Sequence, residues 1–275
     1  MIIDFRVRPP YKSMAEGALW NMDRRRSFAA RFKKGISESI EQKSMDLLIK
    51  EMDECGIDKG VVQVRLSIGM KNEDLASLLK EYPDRFIGMI GVDPWNVEQA
   101  FEDIDKYIVN GDATGVIIEH GFCNPAITAD DGRNYPIYDL CQRLDIPMTL
   151  SFGGLIGPYV DHNSPKMIDK VAKDFPNLTL ILAHAGWPFV QEMAHITLNR
   201  ANVYLSPDIY AVNAPGSMDY LNMMNNFIPE KMIFGSAYPV ICMKDMVDAY
   251  KEMLAPEVYD QVMYENAARI LKLEK

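Results

Sequence analysis

The chain has 275 residues, 48% of them hydrophobic, enough for a sizeable core in one large domain or two small ones. Its net charge of −10 argues against general nucleic-acid binding and against adsorption to an anionic membrane. No apolar run approaches the roughly 18 residues of a transmembrane helix, and Asp4 and Arg6 interrupt any secretory leader, so a cytoplasmic location is expected.

The first element is Ile2-Ile3-Asp4-Phe5-Arg6-Val7-Arg8, stopped by Pro9-Pro10. It reads as a buried strand, and two-residue alternation puts Asp4, Arg6 and Arg8 on one face. Two adjacent guanidiniums repel, and burying either unpaired is costly, so an anion is expected beside them. The charge around this strand is uneven. Residues 6 to 34 hold nine basic groups and two acidic ones, a net +7, which leaves −17 for the rest of the chain. That imbalance suggests a small anionic ligand; a solvated basic loop or a subunit contact explains it nearly as well.

Residues 9 to 40 read as a long irregular segment, too polar and too broken for core, with a short helix near Arg24-Arg25-Arg26. Loops of this length usually act as lids or covers. Ser39 to Cys55 has helical apolar spacing and stops at Gly56. Strands and helices then alternate. Strands are expected at 60–64, 86–92, 114–119, 146–152, 178–184, 203–208 and 232–235. Helices are expected at 72–81, 97–109, 136–144, 165–175, 188–198, 217–227, 244–254 and 256–271. The strands are apolar on both sides, as parallel strands buried on both faces should be. Eight βα units predict an α/β fold: a single-domain TIM (β/α)8 barrel over residues 1–275, with 9–40 as a lid-like basic insertion after the first strand. The first turn is Arg-Pro-Pro, so no dinucleotide fingerprint is present.

In such a barrel the active site lies at the C-terminal strand ends. Those ends read Arg6 and Arg8; Gln63 and Arg65; Asp93; Glu119 and His120; Ser151; His184; Asp208; and Ser236, Ala237 and Tyr238. The four cysteines, Cys55, Cys123, Cys141 and Cys242, show no CxxC spacing and read as reduced thiols. The eighteen methionines read as core filling, and a homo-oligomer is left open. Trp20 and Phe28 are placed to close over an unsaturated ligand; His162 reads as a surface-loop residue and His195 as structural.

Several segments resemble the amidohydrolase superfamily, in the branch of aminocarboxymuconate-semialdehyde decarboxylase and related decarboxylases and lactonases. They are Cys55-Gly56-Ile57-Asp58-Lys59-Gly60-Val61, Tyr82-Pro83-Asp84-Arg85-Phe86-Ile87-Gly88, Phe175-Pro176-Asn177-Leu178 through His184-Ala185-Gly186-Trp187, Ile233-Phe234-Gly235-Ser236-Ala237-Tyr238-Pro239 and Glu265-Asn266-Ala267-Ala268-Arg269-Ile270-Leu271. The resemblance implies four metal-ligand positions: His-x-His on the first strand, a His ending the fifth and an Asp on the eighth. This chain has Arg6, Arg8, Ser151 and Ala237 there. Arginine and alanine cannot ligate a divalent ion, so no metal and no other cofactor is expected.

The resemblance keeps His184, which implies proton transfer; a buried structural histidine is the plainer reading. The expected function is a metal-independent hydrolase, lactonase-like, or a lyase acting on a small carboxylated substrate. Arg6 and Arg8 would bind the carboxylate or a developing oxyanion, and His184 would act as general acid or base. Glu119 and Asp208 are candidates for a second proton-transfer or orienting role. His120, Ser151 and Tyr238 are candidates for substrate contact, with packing against Pro239 as the plainer reading for Tyr238. Ala237 removes the usual water-activating carboxylate, which brings decarboxylation or isomerisation into contention. The competing classes are a non-catalytic anion-binding paralog and an internal plug in which Glu119 and Asp208 neutralise Arg6 and Arg8.

Overall fold

Seven short strands follow one another around a single parallel sheet: β1 (Ile3–Val7), β2 (Lys59–Gln63), β3 (Phe86–Gly91), β4 (Gly115–Ile118), β5 (Met148–Ser151), β6 (Leu180–Ala183) and β7 (Val203–Ser206). The computed structural model describes residues 1–154 and 157–273. The ring is closed by residues 232–238. The Ile233 amide donates to the Leu205 carbonyl at 2.9 Å, and the Phe5 amide donates to the Phe234 carbonyl at 3.1 Å. This is the expected TIM barrel, but its eighth strand is reduced to two bridges, Leu205 with Met232 and Val7 with Tyr238. The reason is local. The Ser236 amide donates to the Asp4 carboxylate at 2.8 Å rather than to a β1 carbonyl, and Ala237 turns out of extended conformation with φ 62°.

β1 departs from simple alternation. Its register against β2 runs Ile3 to Lys59 and Asp4 to Gly60, then shifts so that Val7 meets Val62. Phe5 and Arg6 therefore both oppose Val61, a β-bulge that resets which face each residue takes. Ile3 and Phe5 join the inner cluster with Val61, Ile87, Met89, Ile181 and Ile233. Beyond the bulge Arg6 and Arg8 line the cavity at the barrel mouth, while Val7 packs outward. Asp4, expected on the arginine face, instead bridges the backbone amides of Arg6 (3.0 Å) and Ser236. Burial raises its carboxyl above the usual range.

Outside the sheet lie α1 (Met22–Arg31), α2 (Glu38–Gln42), α3 (Met45–Cys55), α4 (Asn72–Glu81), α5 (Val97–Ile104), α6 (Tyr135–Arg143), α7 (Pro165–Asp174), α8 (Val190–Asn199), α9 (Ser217–Asn222), α10 (Met243–Met253), α11 (Pro256–Asp260) and α12 (Asn266–Ile270). α12 lays Ala267, Ile270 and Leu271 against the inner cluster, leaving the C-terminal mouth as the open one. The helix expected across Ser39 to Cys55 is two helices. Lys43 sits at φ 49°, and the Ser44 side chain restarts the run by accepting the Leu47 amide at 3.3 Å. The 9–40 segment is also less polar in effect than expected. Met14, Leu19, Trp20, Ala29 and Phe32 are all buried in the core, and the Trp20 indole donates to the Met14 carbonyl at 2.6 Å. No helix among the described residues is long and apolar enough to cross a membrane.

Candidate active site

The strand ends surround a cavity of about 660 Å³. Its floor is Arg6, Arg8, His184, Tyr210 and Ala237. One wall comes from the long N-terminal segment through Leu19, Arg24, Arg25, Phe28 and Arg31, and the opposite wall from Arg65, Ser67, Ile68 and Phe122.

Arg6 organises the floor. Its Nη1 donates to the Gln63 side-chain oxygen at 2.7 Å, its Nη2 lies 3.1 Å from His184 Nε2, and its Nε lies 3.5 Å from Asp208 Oδ2. Gln63 is itself fixed by donating to the Phe5 carbonyl at 3.0 Å. His184 Nδ1 lies 2.9 Å from the same Asp208 oxygen. A guanidinium can only donate, so Nε2 must be the bare nitrogen and Nδ1 carries the proton. His184 is therefore the neutral Nδ1–H tautomer in this arrangement. Burial holds its pKa below the ordinary value of 6.5; Asp208 opposes that shift, while Arg6 and Arg8 add to it.

The backbone around this cluster is strained. His184 (φ 68°), Asp208 (φ 46°) and Ala237 (φ 62°), ending three adjacent barrel staves, all lie in the left-handed region. Such residues each cost on the order of 1 kcal/mol or more and concentrate at functional sites. The Asp208 turn is held by its Oδ1, which accepts the Ile209 amide at 2.7 Å, and by its carbonyl, which accepts the Tyr250 hydroxyl at 3.2 Å.

Arg8 differs from Arg6. It is 2% exposed, yet among the described residues its guanidinium has no hydrogen-bond or carboxylate partner. Burial lowers its pKa well below the ordinary value, and Arg6 and Arg65 push the same way. Arg65 is neutralised by Glu119, whose other oxygen accepts the Ser67 hydroxyl at 2.6 Å. Among the described residues, two of the six cavity arginines, Arg6 and Arg65, have a carboxylate partner, and Arg8, Arg24, Arg25 and Arg31 have none.

The remaining expected residues are placed elsewhere. Glu119 is held by Arg65 and Ser67, so it neutralises neither Arg6 nor Arg8; the two-carboxylate plug reduces to Asp208 on Arg6 alone. Tyr238 is turned away from the cavity, with its hydroxyl donating to Ser39 Oγ at 3.2 Å and its ring edge-on to Trp20; the chain reverses at Ala237, which points the tyrosine into core. His120 is fully buried beside Phe152 and does not line the cavity, and Ser151 is buried at the end of β5, also outside the lining. Trp20 is core, while Phe28 does reach the cavity. Gln63, Arg65, Arg25 and Tyr210 also meet at this site, with no role assigned to them by sequence alone. Gln63 and Arg65 were visible as strand-end residues, and Arg25 lay inside the basic segment. Tyr210, edge-on to His184 at 5.6 Å and stacked on Trp187 at 4.9 Å, carried no signal beyond following Asp208 by two.

The donor set does not fit a divalent metal. Among the described residues no three His, Cys, Asp or Glu side chains converge as ligands. The Arg6 guanidinium lies against both His184 and Asp208, where an ion shared by them would have to sit.

A parallel (β/α)8 barrel with polar and charged side chains gathered at its C-terminal mouth belongs to the class of TIM-barrel proteins that carry their sites on strand ends. The family model described as amidohydrolase matches residues 12–273, and the chain belongs to the amidohydrolase family. An uncharacterised TIM-barrel protein from Bordetella bronchiseptica is 33% identical, with 98% of each chain covered and a TM-score of 0.94. The fold is shared with 5-carboxyvanillate decarboxylase from Sphingomonas paucimobilis (16% identity, 99% of each chain, TM-score 0.70). It is also shared with 4-oxalomesaconate hydratase from Rhodopseudomonas palustris (21% identity, 99% of this chain and 96% of that one, TM-score 0.66). No curated protein matches the sequence.

Proposed function

We propose that the protein is a metal-independent enzyme that binds a small carboxylated substrate on Arg8 and moves a proton through His184, with a lyase reaction favoured over hydrolysis. The observation that carries this reading is Arg8, a buried guanidinium without a partner among the described residues, opening into the cavity beside a neutral imidazole. A substrate carboxylate supplies the missing acceptors, in bidentate geometry where the fork allows. Hydrolysis needs a base free to activate water. Asp208 is engaged by Arg6 and His184, Glu119 is engaged by Arg65, and position 237 is alanine. Two fold neighbours named as a decarboxylase and a hydratase, both lyases, are in keeping with this preference.

In a decarboxylation the bond between the substrate carbon and its carboxylate breaks, carbon dioxide leaves, and the electron pair left on carbon takes a proton. His184 Nε2 delivers that proton, drawn from solvent, once the incoming anion has drawn Arg6 Nη2 off it. Charge that develops on substrate oxygens is held by the guanidiniums of Arg6 and Arg8. Asp208 keeps the imidazole oriented and stabilises its charged form.

The test is a screen of carboxylated aromatics for carbon dioxide release, and of lactones for ring opening, with chelator present throughout. Turnover that persists in chelator and vanishes in His184→Ala is the expected result. Arg8→Met should weaken substrate binding far more than it changes stability. Turnover that disappears on chelation and returns with a divalent ion overturns metal independence, and unchanged affinity in Arg8→Met overturns the carboxylate anchor. A binder without catalysis is the second reading. It is favoured by the Arg6 donor on His184 Nε2, which leaves the imidazole no free lone pair until Arg6 moves. Tight Arg8-dependent binding with no turnover across the screen would establish it.

A further inference from the structure

We propose that the ligand of this cavity is a dicarboxylate, and that Arg25 of α1 is the specificity-determining residue that holds its outer carboxylate. The proposal rests on Arg8 as the inner carboxylate anchor and adds a second subsite to it.

α1 carries three consecutive arginines that meet three different fates. Arg26 points outward and pairs with Glu41 at 2.8 Å. Arg24 is exposed at the cavity rim. Arg25 turns inward, is 8% exposed, and has a buried Nε with no acceptor; its side chain makes no ion pair and no hydrogen bond among the described residues. Desolvating a guanidinium without an acceptor is expensive. Here Arg24 and Arg65 add repulsion, and among the described residues no carboxylate has turned to meet it. Arg8 is in the same state at the floor of the same cavity. Two buried cations left open toward one space are complementary to two anionic groups on one molecule.

The space between them supports this. At about 660 Å³ the cavity falls in the range of small-molecule sites, roughly 300–1,000 Å³, and far exceeds what one carboxylate needs. Phe28 lies three residues beyond Arg25 and so on the same side of α1, and it faces the cavity together with Ile68 and Tyr210. These apolar surfaces suit a ligand body carried between two charged ends. The side chains that would neutralise a stray positive charge, Glu119 and Asp208, are already paired with Arg65 and Arg6.

The experiment is calorimetric titration of the full chain at low ionic strength with benzoate and with benzene-1,2-, 1,3- and 1,4-dicarboxylate. At least one dicarboxylate should bind about tenfold or more tighter than benzoate, as a second charge-assisted contact requires. Arg25→Gln should erase that advantage and leave benzoate affinity within a factor of about two, while Arg25→Lys, which keeps the charge and loses the fork, should retain part of it. The thermal transition of each variant shows that it is folded. Dicarboxylates that bind no tighter than benzoate, or an Arg25→Gln variant that weakens benzoate as much as the dicarboxylates, would overturn the outer subsite. In either case benzoate binding that is lost in Arg8→Gln leaves the inner anchor standing. Benzoate binding indifferent to Arg8→Gln overturns the anchor itself, and no binding by any of the four compounds overturns both.

Discussion

Asp208 is the residue on which the buried charges depend. Its carboxylate is the acidic partner of Arg6 and lies 2.9 Å from His184 Nδ1. Asp208→Asn leaves an uncompensated guanidinium in the barrel, and a loss of about 3–5 kcal/mol in urea unfolding is expected. His120 makes the opposite kind of contribution. Burial lowers its pKa from 6.5 to about 4, so the folded chain refuses a proton that the unfolded chain accepts. Its contribution to stability is full above pH 6.5 and falls as the pH drops toward 4, by on the order of 3 kcal/mol. His184, also lowered, adds a loss of the same sign below 6.5. His120→Phe should flatten the acid limb of a stability–pH curve; an unchanged slope contradicts the assignment. At this scale Arg6, Arg8, His184 and Asp208 were legible because polar residues at buried strand ends stand out against apolar runs. Tyr238 was not, because the side it faces is decided by a left-handed turn at Ala237 that an alanine does not advertise.

The elements show where local rules were overridden. A Cβ on Gly235 would lie 2.7 Å from Arg6 Cγ and 3.2 Å from Arg6 Cβ, so the eighth stave can approach β1 only because that position is bare. Gly235→Ala should cost about 1–3 kcal/mol by overpacking, and it should weaken carboxylate binding because the atoms it displaces are the root of Arg6. Ser44→Ala removes the cap that restarts α3 and should cost about 1 kcal/mol without touching ligand affinity. Eight βα units could be counted from apolar runs, since each strand needed only local signals. The bulge in β1 and the thin eighth stave could not. Asp4 bonds backbone amides on both staves, and no periodicity reports what a side chain does across a sheet.

For the whole molecule, the charge imbalance seen in composition has a spatial meaning. The segment carrying +7 folds over the barrel mouth and concentrates arginines on one cavity of a chain that is otherwise strongly acidic. A field of this kind draws anions toward the mouth and is screened by salt. Association with a carboxylate ligand should slow as ionic strength rises from about 0.01 M to 0.15 M, over which the Debye length falls from about 30 to 8 Å. The rate of dissociation, set by the buried Arg8 contact, should change little. Stopped-flow measurement of both rates separates the two effects.

The two amide hydrogen bonds accepted by Asp4 also tie the site to the closure of the barrel. Asp4 and Ser236 are 232 residues apart, and β1 leaves the ribosome before every other strand. β2 follows it in sequence, but its second neighbour is the last stave of the barrel, so the Asp4–Ser236 link cannot form until residues 232–238 are present. Contacts of such sequence separation slow folding. The floor of the cavity thus depends on closing the ring, because Arg6 and Arg8 are enclosed only where the last stave meets the first.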